Sequence, residues 1–107
     1  MDIREIPKNI TFSDFLERLN VSRFGKKGAE LVSEKIKNLA TLRYLIETDK
    51  VGDALMTVPG IGEKTRDALL ERLLDIDFIL TLEEMEDQKY EIFEDLEIHE
   101  IKIQTEE

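Results

Sequence analysis

"VPGIGEK", residues 58–64, gathers one of the chain's two prolines and two of its five glycines into four consecutive positions. Helix-like sequence lies on both sides: Val51, Ala54 and Leu55 before it, and Leu69, Leu70, Leu73 and Leu74 after it. A plain connection between helices needs at most one glycine, at the end of the first. Two indicate a backbone that takes unusual dihedrals and stays bare enough for something to approach it. A helix starting just after Gly62 presents several N–H groups without intrahelical partners, and the helix dipole adds partial positive charge there. With Lys64 beside them, these groups make a phosphate site built chiefly from backbone. Such a site positions a protein on nucleic acid and reads no bases. The plainer reading is a tight turn that only joins two helices.

Nucleotide-binding loops do not fit. The Gly-x-x-x-x-Gly-Lys-Ser/Thr spacing is absent. A dinucleotide fingerprint fails as well, because no strand precedes the turn and its third glycine is missing.

The remaining chain reads as a mostly all-α domain of about five to six short helices. Residues 1–11 form an extended lead-in around Pro7. Thr11 and Asp14 make a capping-box pair, and Phe12, Phe15, Leu16 and Leu19 place a helix near 12–20. Ala29, Val32 and Ile36 mark a second near 26–38, and Leu42, Leu45 and Ile46 a short third. Asp49 is the expected cap of the fourth, which ends at the glycine turn. A second capping-box pair, Thr81 and Glu84, predicts a sixth helix near 82–89. Leu96, Ile98, Ile101 and Ile103 nearly alternate with polar residues, as in a short strand, but the slip between Ile98 and Ile101 leaves a bulge or loose coil open. The expected organisation is a helical domain over 12–80, with an acidic C-terminal helix and tail over 81–107.

Charge follows the same division. The 107-residue chain carries a net −10. Residues 1–80 hold 13 Lys/Arg against 14 Asp/Glu, whereas residues 81–107 hold 2 against 11. Arg23 to Lys37 runs the other way, with five basic residues and two acidic ones. The distribution therefore leaves nucleic acid open as a partner although the sum is unfavourable. No cysteine is present, which excludes disulfides and thiolate metal sites. Apolar runs are too short to span a bilayer and no secretory signal pattern is evident, so the expectation is an intracellular, soluble chain.

A repeat emerges at an offset of 37 residues, which lays Val21-Ser22-Arg23-Phe24-Gly25-Lys26-Lys27 over Val58-Pro59-Gly60-Ile61-Gly62-Glu63-Lys64. In each segment a valine and a second apolar residue, Phe24 or Ile61, can pin the turn into the core. Glycine follows, and lysine two positions later. Two such helix–turn–helix units in tandem can bury each other's apolar faces.

"VPGIGEKTRDAL" resembles the helix-hairpin-helix motif, with its apolar residue, Pro-Gly, apolar residue and Gly between two helices. "FLERLNVSRFGKKGAELV", "NLATLRYLIE" and "ALMTVPGIGEKTRDALLERL" together resemble the second tandem pair of these motifs in NAD-dependent DNA ligases. In that pair a degenerate first hairpin precedes a full second one. The similarity covers about residues 12–74. It implies a compact tandem helix-hairpin-helix bundle that binds duplex DNA across the minor groove without sequence preference, in DNA repair or replication. The second hairpin would contact phosphates through Gly60, Ile61, Gly62, Lys64 and Thr65, and the first through Arg23, Gly25, Lys27 and Gly28. Arg23 stands where the second hairpin has Gly60, and Arg66 stands where a small residue is usual. Residues 81–107 match nothing in the ligase pattern.

No catalytic site is visible. Lys-x-Asp-Gly and the four zinc cysteines of such ligases are absent, so NAD would belong to a separate catalytic part and this chain itself is expected to hold no cofactor or metal. His99 is read as a surface residue, and Glu83, Glu84, Glu86 and Asp87 as a solvated face in a first helical turn. The chain is expected to be either a DNA-binding domain of a ligase or a small subunit beside a catalytic ligase chain, in a bacterial, phage or viral cytoplasmic setting. The alternative is a helical protein–protein interaction module that has lost DNA binding.

Overall fold

A computed structural model describes residues 3–95. The Thr11 hydroxyl accepts from the Asp14 N–H at 3.2 Å and opens α1, Phe12–Glu17. Then follow α2 (Lys26–Ile36), α3 (Leu39–Glu47), α4 (Val51–Met56), α5 (Glu63–Leu73) and α6 (Ile76–Asp87). Two short strands, β1 (Asn9–Thr11) and β2 (Glu91–Phe93), complete a mostly all-α architecture.

Apolar residues at helical spacing build one core. Phe12, Phe15 and Leu16 of α1 are fully buried with Val32 of α2, Leu42 of α3, and Leu69 and Leu73 of α5. Phe15 meets Phe78 of α6, with ring centroids 6.2 Å apart and tilted by 34°, a separation within the range of aromatic pairs. Two buried hydroxyls find partners within their own helices, Ser33 Oγ donating to the Glu30 carbonyl at 2.9 Å and Thr81 Oγ1 to the Asp77 carbonyl at 2.8 Å.

Four local expectations are corrected. The lead-in is not simply extended, since a 3₁₀ turn at Ile3–Glu5 precedes β1. Asp49 does not cap α4; Lys50 holds that position without a side-chain bond. Asp49 instead takes φ 58° and finishes α3, where its N–H bonds Ile46 O and the Lys50 N–H bonds Leu45 O at 2.8 Å. A left-handed residue closing a helix in this way consumes the backbone that a cap would need. Thr81 does not begin the sixth helix. Asp75 does, its carboxylate accepting from the Asp77 N–H at 3.0 Å, while Thr81 is buried mid-helix and donates to the Asp77 carbonyl. Glu83, Glu84, Glu86 and Asp87 consequently lie towards the end of α6 and not in its first turn.

The acidic C-terminal segment is part of the folded unit as far as Asp95. β2 pairs in parallel with β1, Ile10 opposite Ile92, and the Glu91 N–H donates to the Lys8 carbonyl at 2.7 Å. Tyr90 Oη donates to the Ile3 carbonyl. His99 and the near-alternation from Leu96 to Ile103 lie outside the described residues. Among the described residues no helix is long and apolar enough to cross a membrane.

Candidate nucleic-acid interface

The two units of the repeat have matching backbones. Phe24 N–H donates to the Val21 carbonyl at 3.1 Å, closing a four-residue turn whose third residue, Arg23, takes φ 62°. At the equivalent place Gly60 takes φ 86°. Pro59 and Gly60 are the residues that a type II turn favours at its second and third positions. Val21, Phe24 and Val58 are buried and Ile61 is half-buried, so apolar side chains hold both turns against the core. The expected anchoring is present in both units.

Each turn then delivers a glycine to the start of an eleven-residue helix. Gly25 precedes α2 and Gly62 precedes α5. Their carbonyls accept the first helical bonds, from Ala29 at 3.0 Å and Arg66 at 2.9 Å. Neither glycine can offer a side-chain acceptor to the free N–H groups of the first turn. Thr11, Asn38 and Asp75 do so for α1, α3 and α6, whereas the short α4, like α2 and α5, starts without a side-chain cap. The two helices of the repeat are left with exposed donors at their starts.

Steric surroundings separate the glycines by role. A Cβ at Gly25 or Gly62 would meet nothing within 4 Å, and both have ordinary extended dihedrals. Neither packing nor backbone conformation requires glycine there, and both positions are exposed. Gly28 differs, since a Cβ would lie 2.9 Å from Phe24 Cδ1. Its bareness lets the Phe24 ring pack on the first turn of α2.

Both turns open into one cleft of about 430 Å³. From the first unit Arg23, Gly25, Lys27 and Gly28 line it, and from the second Gly60, Ile61, Gly62 and Thr65. Lys64, also singled out in the sequence, is exposed in the first turn of α5 and is not part of the lining. Two further lining residues, Lys26 from the basic stretch and Leu31, are not among the expected phosphate contacts. Lys26 directly follows the capping glycine, which was the available signal. Leu31 lies one helical turn beyond Gly28, and its Cδ1 would stand 3.0 Å from a Cβ at Gly60. That contact joins the two units and could not be read from either alone.

Arg23, Lys26 and Lys27 are exposed, and among the described residues their side chains form no ion pair or hydrogen bond. Positive charge is concentrated on the first unit, since the second begins with Glu63 before Lys64. Arg66, half-buried, occupies the place of fully buried Ala29, so the first turn of α5 packs less closely than that of α2.

The last two described carboxylates, Glu94 and Asp95, are fastened away from this cleft. Asn38 Nδ2 donates to Glu94 at 2.7 Å, and the Ser13 N–H and hydroxyl both donate to the Asp95 carboxylate, the first at 3.0 Å. Glu94 and Asp95 share a small hollow with Ser33 and Lys37, at the far end of α2 from Gly25. From Gly25 to Ser33, the nearest of these along α2, eight residues of helix span about 12 Å, against a screening length of about 8 Å at physiological ionic strength. These carboxylates therefore exert little repulsion on an anion in the cleft.

Comparison of the chain with protein-family models, with curated proteins and with solved structures gave no match.

Proposed function

We propose that the chain binds duplex DNA without sequence preference, holding phosphates of the minor-groove edges on the backbone N–H groups that begin α2 and α5. The observation that carries this reading is the single cleft into which two glycine-capped helix starts open beneath Arg23, Lys26 and Lys27. Backbone donors and a helix dipole suit an anion, and two such sites in one cleft suit a polyanion. The contacts available are to phosphate and sugar, which fix register and carry no sequence information. As in the resemblance to NAD-dependent ligases, the chain would act as a non-catalytic domain or subunit, with nicotinamide chemistry residing elsewhere.

Gly25→Asp and Gly62→Asp test the reading by driving stability and binding in opposite directions. An aspartate there can cap the helix and favour its dipole, for a gain of a few tenths to about 1 kcal/mol. The same carboxylate fills the anion site and repels phosphate. Fluorescence anisotropy with nicked and intact duplexes should show at least about tenfold weaker binding for the double variant, and a shallower dependence on salt. Undiminished affinity in a variant that melts at or above the parent temperature would sink the proposal.

A further inference from the structure

We propose that the α3–α6 face is a docking surface for a basic amphipathic helix of a partner protein. Ile76, Ile79, Leu80 and Glu83 follow one stripe of α6 at helical spacing. Ile76 is 66% exposed and Leu80 55%, unusual values for large aliphatic side chains in a fold that buries most of the others. Ile79 and Glu83 from this stripe line a hollow against Ile46 and Glu47 of α3. A second hollow continues along the same pair of helices, over Leu39 and Met85 to Ile92. Arg43 and Leu82 border both, so the two form one interrupted groove.

Charge along the groove selects its occupant. Arg43, its one cation among the described residues, is paired with Glu86 at 2.5 Å. Glu47 and Glu83 stand at the rim with no ion pair among the described residues. An apolar floor between unpaired carboxylates fits a helix that presents apolar residues at i, i+3, i+4 and i+7 with Lys or Arg beside them. Nucleic acid would be repelled by the rim. A second copy would bring another net charge of −10 towards it. The groove shares no residue with the glycine-turn cleft, so this inference stands or falls apart from DNA binding.

The experiment uses the full chain and a fluorescein-labelled synthetic helix of Leu and Lys at that spacing, read by anisotropy without DNA. Leu80→Ser combined with Glu83→Lys should weaken binding at least about tenfold. Ile76→Ser, at a still more exposed site, should weaken it in the same direction. Glu71→Lys, an equal charge change at an exposed position of α5, should alter it by no more than about twofold. An equal loss with Glu71→Lys, or undiminished binding of a peptide with Leu replaced by Ser, would reduce the attraction to diffuse charge and overturn the proposal. So would no peptide binding, or a dimer by light scattering that Ile76→Ser dissolves. Circular dichroism of each variant confirms folding, and its DNA affinity, measured in parallel, should match the parent.

Discussion

Arg23 and Gly60 hold equivalent positions in turns 37 residues apart, and both backbones are left-handed, at φ 62° and 86°. The two turns thus share a conformation although only one has the residue suited to it. A side chain in this region costs about 1–2 kcal/mol, which the buried anchors Val21 and Phe24 must offset.

Replacing Arg23 by Gly should relieve that strain. Part of the gain is lost because glycine adds entropy to the unfolded chain, about 0.5–1 kcal/mol. A net stabilisation of about 0.5 kcal/mol is expected in urea titrations. Gly60→Ala should go the other way by at least about 1 kcal/mol, since its Cβ also presses on Leu31.

Gly28→Ala sets two effects against each other. Helix propensity favours alanine by up to about 1 kcal/mol. The new methyl would crowd Phe24 Cδ1 at 2.9 Å, and overpacking costs about 1–3 kcal/mol. Because Phe24 is itself buried and cannot swing out freely, crowding wins, and a fall in melting temperature is the expected outcome.

On the proposed DNA reading, the cations should contribute unequally. Lys26→Ala and Lys27→Ala should each reduce the slope of log K against log salt by up to about 0.9. Lys64→Ala, outside the cleft lining, should reduce it less. Equal slopes for all three, measured by anisotropy across a salt series, would place the phosphates elsewhere.

Asp95→Ala removes the acceptor for both the Ser13 N–H and its hydroxyl. A charged acceptor of this kind contributes about 1.5–3 kcal/mol, with partial exposure favouring the lower end. Thermal melts should show the loss, while DNA affinity measured well below the transition should not change.

Much of the helical plan was legible because its signals are local. Val32 and Ile36 face the core where their spacing says they should, and Thr11 caps α1 through a bond three residues long. Thr81 misled for an equally local reason: a hydroxyl three residues before a glutamate looks like a cap whether or not the helix has already begun. Asp75, followed by Ile76 and Phe78, was the better start, and Thr81 instead satisfies its hydroxyl on the preceding turn. Neither strand could be read from periodicity, since each is only three residues long.

Within the candidate site, the repeat made Gly25 with Gly62 and Lys27 with Lys64 visible, while nothing in it marked Leu31. By itself the sequence determined the two turns, because valine, an aromatic or aliphatic anchor and a helix-capping glycine act within seven residues. Tertiary structure decided that these turns share one cleft, through Leu31 beneath Gly60, and that Asp95 is bound to Ser13 at the other end of α2. Those contacts join residues 29 and 82 positions apart. Only the packing of the whole core chooses among the many partners available at such separations.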